Sequence, residues 1–261
     1  FADSVLEGKV REALSIGPHE PLTCEVAGQL TKLDASGAGA RRSVSGSPEW
    51  NDPQHLLHDL SGLQNLTGLT DLALRNRGLS DIRPLAGLTG LINLNLHTNW
   101  ISDISPLRGL TNLERLRIAE NPLTDISALS ELTELRVLRM HRHGDFIGGQ
   151  VPRSHMGATG ILFTNAVTDI SPLANLTKLV DFNIHTQDIS DLTPLNGLNS
   201  LVELRLAGNS FTDLSPLRGL TTLQYLELTG NNIVDITPLS SLTNLMQLDL
   251  RFNPELTNIQ A

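Results

Sequence analysis

The chain has 261 residues, 39% of them hydrophobic and only 3% aromatic, so aliphatic side chains must form its core. A formal net charge of −9 argues against nucleic acid or an anionic membrane as a partner, since both would repel it. No apolar run approaches the roughly eighteen residues that a spanning helix needs, and the single cysteine, Cys24, excludes an intrachain disulfide.

The first predicted element is a helix over residues 1–16. Val5, Leu6, Val10, Ala13 and Leu14 recur at helical spacing, Asp3 or Ser4 offers an N-cap, and Gly17-Pro18 stops it. Leu30, Leu33 and Ala35 then read as a first, weak coil, which makes residues 1–34 a helical cap with one coil attached. Residues 35–58 form an inserted loop, 17 residues longer than the repeat below requires and rich in Ser, Gly and Pro. It carries Trp50, His55 and His58, and both a tolerated surface insertion and a contact loop remain open for it.

From residue 59 to residue 261 the chain repeats every 22 residues. Asp59, Asp81, Asp103, Asp125, Asp169, Asp191, Asp213 and Asp235 keep the beat, and one unit between Asp125 and Asp169 lacks its Asp. A period of this length, written L-x-x-L-x-L-x-x-N-x-I/L, marks a leucine-rich-repeat solenoid. In the unit at Leu91, the side chains of Leu91, Leu94 and Leu96 point inward, Asn99 sits at a turn, and Ile101 closes the coil. The alternation of Leu94 and Leu96 predicts a short strand, stable only because Leu116 and Ile118 of the next coil extend the same parallel sheet.

Asn99, Asn121, Asn165, Asn209, Asn231 and Asn253 share one position, where a side-chain amide can satisfy backbone groups of a buried turn; Arg77, His143 and Gln187 break this column. Ser105-Pro106, Ser171-Pro172, Thr193-Pro194, Ser215-Pro216 and Thr237-Pro238 each start a helical or 3₁₀ turn, with the hydroxyl as N-cap and proline at the first position. The Asp column is expected to accept backbone N–H groups; stacked carboxylates holding a cation are the alternative.

Residues 141–163 keep the register but lose the content. Ile147 replaces Asp, and Ser154, Gly157 and Gly160 replace inward leucines, predicting a thin coil, a bulged loop or neighbours that lean in. His141, His143 and His155 gather here without a cysteine, which favours solvated or structural histidines over a metal site.

Residues flanking the inward leucines line the open side of such a solenoid. In register order, Arg115, Arg117, Arg139 and His141 predict a basic cluster, Ile161 and Phe163 an apolar centre beside it, and Asp181, Glu203, Glu227 and Asp249 an acidic far part that includes Tyr225. Arginine and aromatic anchors ringed by polar groups suit a protein-binding patch; a solvated face of cross-strand ion pairs is the competing expectation. Trp100 follows the Asn99 turn where other units carry Gly, Pro, Ala, Asp, Ser or Asn, either as a contact residue or folded over the coil edge. Motifs for catalysis are missing: there is no G-x-S-x-G, P-loop or H-E-x-x-H. His97, His141 and His185 fall in alternate coils, which places them about 10 Å apart, too far to share a metal or relay a proton.

The string DISPLANLTKL at 169–179 and its siblings over residues 59–259 resemble the 22-residue repeats of internalin-type bacterial surface proteins more than those of phosphatase-regulating leucine-rich subunits. The opening segment, Phe1 through Leu14, is similar to the start of such chains, which implies an N-terminal cap. The resemblance implies an α/β fold: a right-handed horseshoe with short parallel strands on the concave face and 3₁₀ or short helical turns on the convex face.

The function expected is recognition or adhesion, with a protein or glycan ligand on the concave face and no cofactor, no metal and no enzyme activity. The expected contacts are Trp100, Arg115, Arg117, Arg139, His141, Phe163 and Tyr225. Export from a bacterium, with a signal segment removed before Phe1, is expected with it. A structural spacer within a larger surface protein and an intracellular phosphatase-regulator-like scaffold are the alternatives. Beyond Asn253 the sequence begins another return path and stops at Ala261, so more chain, a partner copy or a short cap is expected over that coil.

Overall fold

The computed structural model describes residues 1–37, 56–57, 59–141 and 166–257. Helix α1 (Ser4–Leu14) begins where Asp3 accepts the backbone N–H groups of Val5 and Leu6 at 2.8 and 3.1 Å. It ends before Gly17, because Ser15 turns left-handed at φ 56 and Arg11 ties the next loop back by donating to the carbonyls of Gly17 and Glu20. Leu6 and Val10 are fully buried against the first coil, covering apolar surface that a solenoid would otherwise leave open. A further short helix, α2 (Cys24–Ala27), is N-capped by the Thr23 hydroxyl.

Among the described residues nine three-residue strands follow: β1 (Lys32–Asp34), β2 (Asp71–Ala73), β3 (Asn93–Asn95), β4 (Arg115–Arg117), β5 (Val137–Arg139), β6 (Asp181–Asn183), β7 (Glu203–Arg205), β8 (Tyr225–Glu227) and β9 (Gln247–Asp249). They form one parallel sheet in sequence order. The central residue of each strand from Leu33 to Leu226 points inward and is at most 3% exposed, and the core runs unbroken from Leu6 to Leu242. At the far end Met246, Leu248 and Phe252 are exposed among the described residues, Leu248 by 41% where its neighbour Leu226 is at zero.

The asparagine column works as its chemistry predicts. The Asn99 carbonyl oxygen accepts from the backbone of Arg77 and Leu79 at 3.0 and 3.1 Å, and its amide donates to the carbonyls of Leu74 and Leu96 at 2.9 Å. One buried side chain thus satisfies four backbone groups in two coils, each of which would cost about 1–3 kcal/mol if stranded. The residue before the turn side chain is left-handed, even at Thr98 before Asn99 and Thr186 before Gln187 with φ 57 and 58, where a β-branched side chain is strained. Arg77 replaces the amide with a guanidinium that reaches back to the Ser36 carbonyl at 2.9 Å.

Two expectations need correction. The 3₁₀ turns, for example Ser105–Leu107, show no side-chain cap from their own N-cap residue. The capping group is the aspartate two positions before the hydroxyl: Asp103 accepts the Ser105 N–H at 2.8 Å, and Asp81, Asp125, Asp169, Asp191, Asp213 and Asp235 repeat this bond. The carboxylates therefore serve the backbone.

The larger correction concerns the degenerate unit. No strand stands between β5 and β6: Val137 pairs with Asp181, Leu138 with Phe182 and Arg139 with Asn183. Gln187 confirms the closure from the turn side, accepting the Val167 N–H at 2.8 Å and donating to the Met140 carbonyl at 3.5 Å. Strand β5 and the return path from Val167 to Leu179 make one coil, and β6 is the next rung after β5.

Candidate binding surface

Because each strand has one inward residue between two outward ones, the sheet presents two rows of side chains, and the residues just beyond the strands add a third. In the β1–β4 half these rows hold Lys32, Asp34, Asp71, Asn93, Asn95, Arg115 and Arg117 around an open depression of about 480 Å³. Its polar contacts are sparse and mostly amide-mediated. Asn93 donates to Asp71 at 2.7 Å and accepts from Arg115 at 3.1 Å, while Lys32 stands 3.9 Å from Asp71. The Arg117 side chain is exposed and makes no hydrogen bond or ion pair among the described residues.

The β5–β8 half is built differently. Asp181, 9% exposed, sits between two arginines: Arg139 donates to it from Nε at 3.1 Å, and Arg205 lies 3.5 Å away on the other side. Arg205 also pairs with Glu203 at 2.9 Å, and its guanidinium lies over the Tyr225 ring, 4.6 Å from the centroid. Burial pushes the half-buried Glu227 carboxyl above the usual carboxylate range, against the pull of Arg205. Beyond it, Asp249 and Arg251 close a two-pronged pair. The predicted gradient from basic to acidic is therefore neutralised within the face.

Of the expected contacts, Arg115 and Arg117 lie together and open, whereas Arg139 is committed to Asp181 and Tyr225 to Arg205. The apolar centre expected beside Arg139 is replaced there by Asn183 and Asp181; Phe163 and Ile161 lie outside the described residues, as do His143 and His155. The histidine spacing changes for the same reason. His141 and His185 occupy adjacent rungs, their rings stacked at 4.7 Å and 8°, and His97 leans across Ala119 to within 6.1 Å of His141. The 10 Å separation predicted for them does not hold. Among the described residues no group of three or more His, Cys, Asp or Glu is placed to hold a metal ion.

Trp100 stands away from this face, at the Asn turn. Its backbone N–H donates to Leu79 at 2.8 Å, and its indole, part of a side chain 41% exposed, reaches over Gly78 of the preceding coil. It is thus both docked on the coil edge and open to solvent. Sequence reasoning missed the part played by Asp181, which depends on the direct β5–β6 pairing; the absent leucines at Ser154, Gly157 and Gly160 were the available signal.

Among the described residues no helix is long and apolar enough to cross a membrane. A family profile described as Leucine Rich repeats (2 copies) matches residues 199–241, and comparison with curated proteins gives no significant match. The solved structure of internalin F from Listeria monocytogenes strain 4b F2365 is 31% identical, with a TM-score of 0.78, covering 96% of this chain and 63% of that one. Internalin C2 from the same strain is 27% identical with the same TM-score, covering 96% of this chain and 94% of the other. A leucine-rich-repeat protein of Leptospira interrogans, 20% identical with a TM-score of 0.55 over 72% of this chain and 50% of that one, shares the fold. The chain spans under two thirds of the internalin F chain and nearly all of the internalin C2 chain. With a nine-rung parallel ladder, a buried asparagine column and a helical cap that match two internalins along almost its whole length, the chain is an internalin-like leucine-rich-repeat protein.

Proposed function

We propose that the chain is a protein-recognition module whose contact surface is the β1–β4 half of the concave wall. One observation carries this reading: Arg117 presents an exposed guanidinium with no partner among the described residues, beside Arg115 and above an open depression. A cation without a polar partner among the described residues is available to an incoming carboxylate, and a bidentate Arg–carboxylate pair gives both energy and orientation. Trp100, His141, Phe163 and Tyr225 are secondary candidates, since Tyr225 is already engaged and Trp100 belongs to another surface. Action outside a bacterial cell follows from the resemblance to internalins. The self-neutralised β5–β8 half favours a spacer as the second reading, because a wall that satisfies itself needs no ligand.

The two readings separate in a peptide-display selection against the whole chain, counter-selected with an Arg115→Glu/Arg117→Glu double variant. Recognition predicts enriched acidic peptides that lose at least about tenfold in affinity for the double variant, the worth of one charge-assisted pair. Peptides that bind both proteins equally would reject this face as the contact surface.

A further inference from the structure

A second site lies at the edge of the solenoid, beyond the concave wall and independent of the reading above. A cavity of about 840 Å³ opens between the Asp59 and Asp81 coils with Trp100 on its wall, within the size range of small-ligand pockets. Gly78 shapes the wall beside the indole. It is left-handed at φ 65, and a Cβ there would stand 2.6 Å from Leu56 and 3.9 Å from the indole Cζ3. A side chain here would be strained by the left-handed backbone and would have to displace the end of Leu56. Seven further coils have a residue at the Trp100 position, and none of those residues is aromatic, so the repeat itself does not call for an indole here.

The polar groups around the indole are partly uncommitted. The Gln64 carbonyl oxygen accepts from the Gly62 N–H, which leaves its amide N–H groups without a partner among the described residues. Ser80 makes no hydrogen bond among them. Arg83 is fixed by its fork onto Asp81 through Nε and Nη2, and its Nη1 remains unused. Asp59 receives the Ser61 N–H on Oδ1 and offers its exposed carboxylate as an acceptor. Donors and an acceptor thus surround an aromatic wall, with Asp81 and Arg83 cancelling and Asp59 left as the net charge.

We infer that this cavity binds a neutral pyranose sugar. The apolar C–H face of a pyranose packs on an indole, while its adjacent hydroxyls both donate and accept, which is what Asp59, Gln64, Ser80 and Arg83 together offer. The residual carboxylate disfavours phosphorylated, sulfated or uronic ligands, and a cation is the competing occupant that the choline probe below distinguishes.

The test uses the whole chain in a Trp50→Phe background, so that Trp100 is the fluorescent reporter. Methyl glycosides of glucose, galactose, mannose and N-acetylglucosamine are titrated by fluorescence and by saturation-transfer NMR, with sodium phosphate and choline as charged probes. Saturable binding of at least one glycoside is expected, weakened about tenfold or more by Trp100→Ala, the worth of a stacked aromatic contact. It should be largely kept by Trp100→Phe and unaffected by Arg117→Glu. Equal melting temperatures for the variants exclude misfolding as the cause of a loss. No glycoside binding, binding indifferent to Trp100→Ala, or saturation by phosphate or choline in place of sugar would each overturn the assignment.

Discussion

The two halves of the concave wall use the same strand geometry to opposite ends. From β1 to β4 the outward residues are amides, cations and carboxylates with few polar contacts, and the Arg117 side chain has no polar partner among the described residues. From β5 to β8 each arginine on the wall faces a carboxylate or an aromatic ring, and the hub of the network, Asp181, is nearly buried. The difference teaches that a charge on a solenoid face is not by itself a contact residue. What matters is whether the adjacent rung already answers it, because a satisfied pair must be desolvated and broken before it can bind anything.

The largest effect expected from this contrast is on stability. Replacing Asp181→Ala removes the shared acceptor of Arg139 and Arg205, whose side chains are 38% and 25% exposed, so water recovers part of the loss. The cost should be about 2 kcal/mol, while Arg117→Ala in the other half should stay within about 0.5 kcal/mol. Urea denaturation of the two variants checks this directly. Equal costs would mean that the two halves do not differ as their contacts say.

How much of this could be read from the sequence follows from what each feature depends on. The leucine beat, the strand order, the asparagine column and the cap at Asp3 depend on residues one period apart or closer, and all of them were legible. The Asp181 network was not. A separation of two periods between Asp125 and Asp169 fits a coil inside the sheet as well as an excursion from it, since both restore the register. Counting rungs in register order puts Ile161 and Phe163 beside Arg139 and His141, whereas the direct β5–β6 pairing puts Asn183 and His185 there. The capping aspartates were recognised as backbone acceptors, but the cap itself was given to the hydroxyls, because Ser-Pro and Thr-Pro match a helix start whether or not the hydroxyl is the group that bonds.

The β5–β6 junction that separates the halves can be tested by excision. Deleting residues 143–164, one full period, should leave β5 paired with β6, since Val137 and Asp181 are already partners and Gln187 already bridges Val167 and Met140. Shortening a connection alters loop-closure entropy only slowly, so the deletion variant should unfold cooperatively within about 1 kcal/mol of the parent. A loss of several kcal/mol would show that the segment supplies core packing to the solenoid.

The smallest effect concerns Glu227, where the self-neutralising half is least complete. Burial raises its folded pKa above the ordinary carboxylate value, so the native protein binds this proton more tightly than the unfolded chain does. Its ionised form therefore opposes folding near neutrality, and the penalty is relieved as pH falls through the raised pKa. The capping aspartates behave oppositely. Backbone N–H and hydroxyl donors hold Asp103, Asp125 and Asp169 below their ordinary value, so their contribution is present above the unfolded pKa and lost as pH falls through the folded one. Glu227→Gln should accordingly raise the melting temperature at neutral pH, by an amount worth roughly a few tenths of a kcal/mol given that the group is half exposed. The advantage should shrink as the pH falls through the raised pKa, where the wild-type carboxyl takes up its proton. A gain that instead persists unchanged at low pH would mean that packing of the amide, and not the charge on the wall, sets the difference.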